Sequence, residues 1–421
     1  MLKIVQNQEI EQEGRSVLDE LARQGAQKML QMALEAEVEE YLQARHHERD
    51  ERGHALVVRH GKGRPRKVMC GAGSLQVQQP RVRERQSAQQ PEGRRFRSTI
   101  LPPYMRRSPK LSEVLPILYL RGLSTSDFRP ALAELLGPEA GGLSPSNITR
   151  LTSVWEQEYR EFEQRSFKDS DYVYVWVDGI HFNVRLEQQR LCTLVMIGAR
   201  SDGQKELLAV SDGFRESKES WAEVLRSLKE RGLNAPRIAV GDGALGFWAA
   251  LRDVFAETKE QRCFCHKMSN VLDKFPKSLQ PKVKAKLRDI MYGETKEQAL
   301  KLIKRFEQDY QSKYPKAVAC LLKDQEPLLT FFDFPAEHWK HLRTTNVIES
   351  PFATVRLRQR VTKGAGSRNK ALCMAFKLLD MAQSRWRKLS APHLLQLVAQ
   401  GQTFVDGIQV KPNPTSRKNA A

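Results

Sequence analysis

An aspartate interrupts the most strand-like stretch of the chain, which runs from Tyr172 to Phe182 and reads YVYVWVDGIHF. β-Branched and aromatic residues fill the run up to Asp178, a composition typical of a buried or half-buried strand. Burying a lone carboxylate costs several kcal/mol unless it is paired or bound to a metal ion. Asp178 therefore either marks the point where the strand leaves the core, or is held there for chemistry.

Two further acids are candidates for the same site. Asp242 closes a short apolar strand predicted at 237–242, and Glu349 lies on a predicted helix that would have to pack back across the sheet edge. If the two strands are neighbours, the carboxylates of Asp178 and Asp242 converge at that edge. Converging carboxylates raise one another's pKa unless a cation neutralises them, and Mg²⁺ takes carboxylate, water and phosphate oxygens. Two such ions about 3.5 to 4 Å apart serve phosphodiester chemistry.

An α/β segment must position these acids. Strands are predicted at 172–186, 191–198, 206–210 and 237–242, with helices at 219–231 and 244–255. The Asp-Gly pair at 202–203, between two apolar runs, is a strong hairpin signal. Three antiparallel strands, a helix and a further strand follow the order of a ribonuclease H-like core, so the predicted fold class is α/β.

The C-terminal half is predicted to be mainly helical. Helices are expected at 282–291, 296–310 and 317–331, with no strand between 267 and 340, and a long closing helix at 369–388. The tail from Gly401 is predicted to be disordered.

The first 110 residues change character abruptly. The spacing of apolar residues between 14 and 49 predicts one long amphipathic helix. Its apolar face serves either oligomerisation or packing on its own domain. Residues 54–110 are strongly basic, with only Glu84 and Glu92 as acids, and residues 74–80 alternate like a short strand. A solvated charge run is the alternative, but the scarcity of acids favours phosphate contact. The candidate DNA contacts here are Arg59, Lys62, Arg64, Arg66, Lys67, Arg81 and Arg83.

A helix-turn-helix is predicted between the basic region and the α/β segment. Apolar-periodic segments lie at 111–120 and 127–136, and a third begins at Ser144 as N-cap, with Pro145 at the first helical position. Many three-helix packings share this pattern. Candidate DNA contacts are Ser146, Asn147 and Arg150.

The composition of the chain indicates the kind of partner it binds and its location in the cell. The chain has 421 residues, 69 Lys and Arg against 50 Asp and Glu, and a net charge of +19, which favours a polyanionic partner such as nucleic acid. Its six scattered cysteines form no disulfide framework. With no signal peptide and no apolar run of the roughly 20 residues that span a bilayer, the expected location is the cytoplasm, without membrane contact.

The chain resembles the mutator-type transposases of insertion sequences, whose site is an Asp-Asp-Glu triad. The resemblance covers nearly the whole sequence and rests on the order and spacing of several modest motifs. These are Trp176-Val-Asp178-Gly-Ile-His-Phe182, Val240-Gly-Asp242-Gly-Ala244, Arg262-Cys-Phe-Cys-His266, Arg343-Thr-Thr-Asn-Val-Ile-Glu349-Ser and Val355-Arg-Leu-Arg-Gln-Arg360, with Ala33-Leu-Glu-Ala-Glu-Val38 and Pro80-Arg-Val-Arg83 upstream.

The resemblance implies roles for particular residues. Asp178, Asp242 and Glu349 would be the catalytic, metal-binding acids, with two Mg²⁺ ions or Mn²⁺ as a substitute. The residues expected to support the site are Cys263, His266, Arg343, Asn346 and Arg356, and Arg358 and Arg360 are added to the DNA contacts. A zinc site at Cys263, Cys265 and His266 fails on ligand count, since structural zinc wants four ligands.

The implied activity is cleavage of double-stranded DNA at element ends, followed by strand transfer, by a homodimer or larger assembly. A DNA-binding regulator without catalysis and a metal-dependent nuclease without strand transfer are the alternatives. The implied organisation begins with a helical region at 1–53, a basic region at 54–110 and a helix-turn-helix-like region at 111–167. The ribonuclease H-like core follows at 168–266 and 341–395, interrupted by an all-α insertion at 267–340, and the tail is 396–421.

Overall fold

A computed structural model of the chain describes residues 2–85, 96–120, 130–133, 145–184, 190–213, 216–243, 246–362 and 367–410. The chain divides into two compact units, Met1–Thr149 and Arg150–Ala421. None of the helices in the described ranges is both long enough and apolar enough to cross a bilayer.

The first unit pairs one long helix with four short strands. The elements are α1 (Leu2–Gln43), β1 (Val57–Lys62), β2 (Arg66–Cys70), β3 (Gly73–Val77), β4 (Pro80–Glu84) and α2 (Pro109–Leu120). β1 pairs antiparallel with β4, and β2 with β3. Leu34 of α1 packs with Val68, Val77 and Leu101 in a small core. The predicted strand at 74–80 corresponds to β3, whereas β1, β2 and β4 were not predicted.

The apolar side chains of α1 differ in how far they are covered, among the residues from 17 onwards whose side chains the structure describes. Leu34 and Val38 in the C-terminal half are buried, which is the packing alternative of the prediction. Further towards the N-terminus, apolar side chains are more than half exposed. They are Val17, Leu18, Leu21, Met29 and Met32. That stripe leaves the oligomerisation alternative open.

The predicted helix-turn-helix is described only in part. α2 covers the first predicted segment, and the third begins at Pro145 as predicted, as α3 (Pro145–Gln164). Most of 127–136 lies outside the described residues, as do the side chains of Ser146, Asn147 and Arg150. The motif therefore stays a prediction.

A five-stranded mixed sheet forms the centre of the second unit. Its strands are β5 (Tyr172–Phe182), β6 (Leu191–Arg200), β7 (Lys205–Gly213), β8 (Ile238–Gly241) and β9 (Lys259–Arg262), in the order β7-β6-β5-β8-β9. The first three are antiparallel neighbours, while β8 runs parallel to β5 and β9 parallel to β8. β9 was not predicted, because its sequence, KEQR, has no apolar run.

Alternate residues of β5 face opposite layers, as a period of two requires. Val175 and Val177 share a core with Trp221 of α4 (Lys218–Glu230) and Phe247 of α5 (Phe247–Val254). Trp176 points the other way, where its indole N–H donates to His341 O at 2.9 Å. Burying each large apolar side chain contributes about 1.5 to 3 kcal/mol. Both faces of the strand that carries Asp178 are therefore fixed by packing.

The segment after β9 is helical, as predicted. It contains α6 (Phe264–Leu272), α7 (Gln280–Met291), α8 (Lys296–Tyr310), α9 (Pro315–Leu322), α10 (Gln325–Leu328), 3₁₀ turns at Thr330–Asp333 and Ala336–His338, and α11 (Trp339–Leu342). The single helix predicted at 317–331 is divided between α9 and α10. The break falls at Lys323 and Asp324, and Pro327 lies in the first turn of α10, where it has no N–H to donate back across the break to the Lys323 carbonyl oxygen.

The described residues after α11 form three helices and a small hairpin. They are α12 (Asn346–Thr362), α13 (Arg368–Gln383), α14 (Pro392–Ala399), β10 (Phe404–Val405) and β11 (Ile408–Gln409). α12 packs on β5 and α13 on β7. The prediction that the tail is disordered from Gly401 is wrong for residues 404–409. Asp406 and Gly407 turn the hairpin in left-handed conformations, and Asp406 Oδ1 accepts the Lys296 N–H at 2.7 Å.

Candidate active site

Two of the candidate acids lie on neighbouring parallel strands, Asp178 within β5 and Asp242 directly after β8. Trp176 of β5 pairs with Val240 of β8, and two more residues along each strand lead to Asp178 and Asp242. The backbone N–H that follows each acid donates to its carboxylate, from Gly179 to Asp178 Oδ1 at 2.8 Å and from Gly243 to Asp242 Oδ1 at 2.6 Å. The sheet thus presents both carboxylates at one edge.

Asp178 is costly to ionise in this position. Burial raises its pKa to about 7, and the charges of Glu216 and Glu349 act in the same direction. The Gly179 N–H and the His266 imidazole oppose the rise in pKa. Like-charged groups near a partly desolvated carboxylate are the environment that a bound cation relieves.

A buried arginine fixes the second acid. Arg262 Nη1 lies 2.7 Å from Asp242 Oδ1, and Arg262 Nε lies 3.3 Å from Asp324 Oδ2. The indole N–H of Trp248 donates to the Asp242 carbonyl oxygen at 3.0 Å. Arg262 ends β9 and is nearly inaccessible to solvent, so the Asp242 carboxylate is held against a rigid cation.

The third acid lies in the first turn of α12. Its backbone N–H donates to Thr345 O at 3.0 Å, and the Thr345 hydroxyl is a hydrogen-bond partner of Glu349 Oε1. His266 Nε2 lies 3.7 Å from the same carboxylate oxygen. The charge of Glu349 raises the pKa of both Asp178 and His266, which places it in the same electrostatic environment as the strand acids.

Cys263 and His266 connect Glu349 to the sheet. The Cys263 N–H donates to Gly241 O at 2.8 Å, directly before Asp242. One ligand atom each from Cys263, His266 and Glu349 lies within 4.8 Å of the others. Hydrogen bonds from Cys265 and His266 lower the pKa of Cys263, and the bond to Cys263 raises that of His266 to about 9. A protonated His266 therefore lies beside Glu349.

Three more residues were predicted to support the site. The Arg343 guanidinium packs over the rings of Phe331 at 4.7 Å, Trp339 at 5.1 Å and Tyr292 at 5.2 Å. Its aromatic surroundings give it a packing role. Asn346 is the first residue of α12, and Arg356 is exposed and lies 5.8 Å from the Phe352 ring centroid.

The two predicted DNA contacts on α12 differ in their exposure to solvent. Arg360 is exposed, whereas Arg358 is only 1% exposed. A buried guanidinium offers no surface to a duplex, so the structure does not bring Arg358 to an interface.

The basic region of the first unit forms a concave surface of about 930 Å³. Its charged lining consists of Arg64, Arg66, Lys67, Arg81, Arg97, Arg106 and Arg107. Tyr104 also lines it, 95% exposed and in a left-handed conformation with φ of 66°. Of the other predicted contacts, Arg83 is exposed, while Arg59 and Lys62 pair with Glu35 of α1. We name the lining residues and Tyr104 the basic concavity.

Two residues near the acids were missed from the sequence. Arg262 was quoted only as part of a motif, and Glu216 was not singled out. Glu216 lies between β7 and α4, with Oε1 3.4 Å from His181 Nε2. An acid at a strand end, directly before the helix-capping Ser217, is the signal that could have identified it.

Comparison with known proteins identifies the family. The family model described as "Transposase, Mutator family" matches residues 2–388. The chain is 57% identical over 297 residues to the transposase for insertion sequence element IS6120 of Mycolicibacterium smegmatis, covering 70% of this chain and 92% of that protein. It is 50% identical over 280 residues to the transposase for IST2 of Acidithiobacillus ferrooxidans, covering 66% and 94%.

A more distant relative is the transposase for IS256 in transposon Tn4001 of Staphylococcus aureus, 27% identical over 352 residues, which cover 83% of this chain and 86% of that protein. The match to the family spans nearly the whole chain and includes the strands and helix that carry the three acids. The chain belongs to the Mutator family of transposases.

Proposed function

We propose that this transposase binds the double-stranded ends of an insertion element and catalyses DNA strand cleavage and strand transfer. Asp178, Asp242 and Glu349 are its catalytic acids. The observation that carries the proposal is the parallel register of β5 and β8, which sets Asp178 level with Asp242. The transposases named above act for insertion sequence elements, which supports the same kind of substrate for this chain.

The core that holds the acids is proposed to be ribonuclease H-like. The strand order β7-β6-β5-β8-β9, with three antiparallel and two parallel strands, supports this assignment. The helices from α6 to α11 then form an all-α insertion between the second and third acids.

The donor set suits a divalent cation. Carboxylate oxygens are the ligands that Mg²⁺ prefers, and Mn²⁺ accepts the same set. The pKa of Asp178 is raised chiefly by burial and further by the charges of Glu216 and Glu349, an environment that a bound cation would relieve. Two bound ions would activate the attacking oxygen and stabilise the leaving oxygen of the phosphodiester.

Neighbouring residues of the chain orient the carboxylates and offset part of their negative charge. Arg262 and the Gly243 N–H fix the orientation of Asp242. The Thr345 hydroxyl does the same for Glu349, and the His266 cation offsets part of the negative charge. Holding reactive groups in place before the reaction lowers the reorganisation needed in the transition state.

The basic concavity is the proposed phosphate-binding surface. Arg64, Lys67 and Arg81 are exposed on it, and phosphate contacts supply most of the salt-dependent affinity for DNA. Tyr104 offers an exposed ring that could stack on a base or insert into a groove.

A homodimer or larger assembly is the proposed active form, because two element ends must be handled together. The exposed apolar stripe of α1, from Val17 to Met32, is a suitable helix–helix interface.

The test is a strand-transfer assay with purified protein, labelled element-end DNA and Mg²⁺. We expect the wild type to cleave the end and to join it to a second strand. Asp178→Asn, Asp242→Asn and Glu349→Gln should each abolish cleavage while binding end DNA within about threefold of wild type, a difference worth roughly 0.7 kcal/mol.

Each alternative gives a different result in the same assay. Cleavage without any joined product would identify a nuclease, and specific binding without cleavage by the wild type would identify a regulator. Near-normal cleavage by one of the variants would remove that residue from the catalytic set.

A further inference from the structure

A second group of metal-ligating side chains lies on the face of β5 opposite Asp178. Successive residues of a strand point to opposite faces, so His181 shares the face of Val177, which belongs to the core shared with α4. His181 pairs across the antiparallel ladder with Cys192 of β6. Residues directly opposite in such a ladder have Cβ atoms about 4.5 to 5.5 Å apart. The ladder therefore sets an imidazole beside a thiol.

Glu216 brings a carboxylate to the same face from the loop between β7 and α4. Its backbone is left-handed, with φ of 54°, a conformation that costs free energy for a residue other than glycine. The Glu216 carbonyl oxygen accepts the Gly246 N–H at 3.0 Å, which helps to hold that conformation. A Cβ atom added to Gly179 would collide with Glu216 Oε1. A glycine at this position of β5 is therefore what admits the carboxylate.

The ligand atoms of these three residues already have nearly the separations found around a metal ion. Glu216 Oε1 lies 3.4 Å from His181 Nε2 and 3.9 Å from Cys192 Sγ, and one ligand atom from each residue lies within 4.8 Å of the others. Around tetrahedral zinc, with Zn–S of about 2.3 Å and Zn–N or Zn–O of about 2.0 to 2.2 Å, ligand atoms are about 3.3 to 3.7 Å apart. Small side-chain rotations therefore suffice to close the cluster around one ion.

The donor set indicates which metal fits. A thiolate sulfur, an imidazole nitrogen and a carboxylate oxygen together suit zinc, whereas Mg²⁺ takes oxygen ligands. Cys192 is buried, while the His181 side chain is 47% exposed, so the fourth ligand position faces solvent on the side of His181. Zinc displaces the thiol proton of Cys192 to water, since a coordinating thiol is deprotonated outright.

We propose that His181, Cys192 and Glu216 bind one Zn²⁺ ion, with water as the fourth ligand, at a site separate from the three catalytic acids. The ion joins the end of β5 and the beginning of β6 to the loop before α4, on the reverse side of the strand that carries Asp178. Because metal binding to the folded chain alone stabilises the fold, the ion also contributes to the free energy of unfolding. The inference concerns a different site from the proposed function and does not depend on it.

The cluster of Cys263, His266 and Glu349 is the competing zinc site. There the Thr345 hydroxyl oxygen lies 3.2 Å from Cys263 Sγ and 3.4 Å from His266 Nδ1, and it is also a hydrogen-bond partner of Glu349. The hydroxyl group thus lies among the three ligand groups and takes up space that an ion would need. In the proposed site, Glu216 Oε1 instead approaches both of its neighbours directly.

The test measures zinc in the full-length protein by inductively coupled plasma mass spectrometry, after gel filtration without chelator. We expect about one Zn²⁺ per chain in the wild type. His181→Ala and Cys192→Ser should lose it, and their affinity for added Zn²⁺ should fall by more than the roughly 10- to 100-fold that loss of an outer-shell partner costs. His181→Ala changes a half-exposed side chain, so it does not threaten folding. The matched controls, His393→Ala at an exposed position and Cys373→Ser at another buried thiol, should keep wild-type zinc.

Cobalt substitution reports the sulfur ligand without an assay of activity. Co²⁺ in place of zinc should give a thiolate-to-cobalt charge-transfer band that disappears in Cys192→Ser and remains in Cys373→Ser. Gly179→Ala provides an independent variant, because the extended backbone of β5 accepts alanine while the new methyl group displaces the Glu216 carboxylate. Its affinity for Zn²⁺ should fall, as should that of Glu216→Gln.

Two results would overturn the inference. A wild type that neither contains zinc nor binds added Zn²⁺ has no such site. Zinc that remains in His181→Ala and Cys192→Ser but is lost in Cys263→Ala belongs to the competing cluster. A wild type that binds zinc as expected but neither cleaves nor joins DNA would overturn the proposed function alone, because zinc is measured without DNA.

Discussion

The Cys263 sulfur accepts the Thr345 backbone N–H at 3.4 Å and lies 3.2 Å from the Thr345 hydroxyl oxygen. That hydroxyl is also within hydrogen-bond distance of Glu349 Oε1, and its single proton can be donated to only one of the two at a time. The sulfur thus links the end of the sheet, directly after β9, to the residue that precedes α12. The position of the third acid depends on a cysteine far from it in sequence.

Removing that sulfur should loosen Glu349. Cys263→Ala leaves the buried Thr345 N–H and hydroxyl with one partner fewer, and we expect a loss of about 1 to 3 kcal/mol in the free energy of unfolding. Cleavage should fall more than end-DNA binding does. Cys70→Ala is the control, because it removes a half-buried thiol from β2 of the first unit, whereas Cys265 is itself a hydrogen-bond partner of Cys263. Equal losses of cleavage in the two variants would contradict the link and would favour a role for both thiols.

Stability of the metal-free protein should depend on pH through Asp178. Its pKa is raised from 3.8 to about 7, chiefly by burial, so folding favours the protonated form. The contribution is fully present below pH 3.8 and is lost as the pH rises towards about 7. Asp178→Asn should therefore gain Tm relative to wild type between pH 5 and 7.5 in the presence of EDTA.

The control for that experiment is Asp273→Asn, at an exposed position just after α6. Its Tm difference from wild type should stay flat with pH. Adding Mg²⁺ should reverse the order at pH 7.5, because the ion binds the ionised carboxylate of the wild type. A pH-independent difference for Asp178→Asn would mean that the carboxyl group is not desolvated.

The basic concavity predicts two kinds of DNA-binding defect. Arg81→Ala should lower affinity and reduce the slope of log K against log salt by about 0.9, as loss of one phosphate contact does. Tyr104→Ala should lower affinity by about 1 to 3 kcal/mol if its ring stacks on a base, with an unchanged slope. Binding isotherms at several salt concentrations distinguish the two.

Tyr292→Ala, which removes an exposed tyrosine from the second unit, is the control for Tyr104. Wild-type affinity of Tyr104→Ala at every salt concentration would exclude the ring from the interface. A reduced slope for that variant would instead indicate that the concavity had lost its shape.

The exposed stripe of α1 predicts the assembly state. Leu18→Glu combined with Leu21→Glu should dissociate the oligomer without unfolding the first unit, since both side chains are more than half exposed. Sedimentation velocity would show the change in mass. Asp19→Lys, an exposed position on the opposite side of α1 from the stripe, should leave the assembly intact. A monomeric wild type on paired end DNA would contradict the proposal.

The elements of the second unit were predictable where apolar periodicity was strong. β5, β6 and β7 contain buried runs of Tyr, Val, Leu and Ile, and α8 was predicted with the bounds that the structure has, Lys296–Tyr310. β9 was not predictable in this way, because Gln261 and Arg262 are buried polar residues held by long-range partners. Burial of polar groups depends on contacts that a local pattern does not contain.

The residues of the candidate site also divide into those that could be identified from the sequence and those that could not. Asp178 and Asp242 could be identified because each carboxylate directly follows an apolar run, although β5 itself continues to Phe182, and Glu349 because of its motif. Glu216 could not, since its approach to Gly179 depends on the turn after β7 and on a left-handed backbone. The burial of Arg358 was also unforeseeable, because its neighbours in sequence include the exposed Arg356 and Arg360. Charge pattern alone does not tell which face of a helix is covered.

The basic concavity and the helix that carries Glu349 belong to different units of the chain, and this affects what a truncated gene copy would do. A chain that stops before α12 keeps Met1–Thr149, with the basic concavity, and the strands that carry Asp178 and Asp242, but lacks the third acid. We expect such a product to occupy element ends without cutting them. Decayed copies of the element would then encode competitive repressors of the intact enzyme, and mobility would fall as defective copies accumulate.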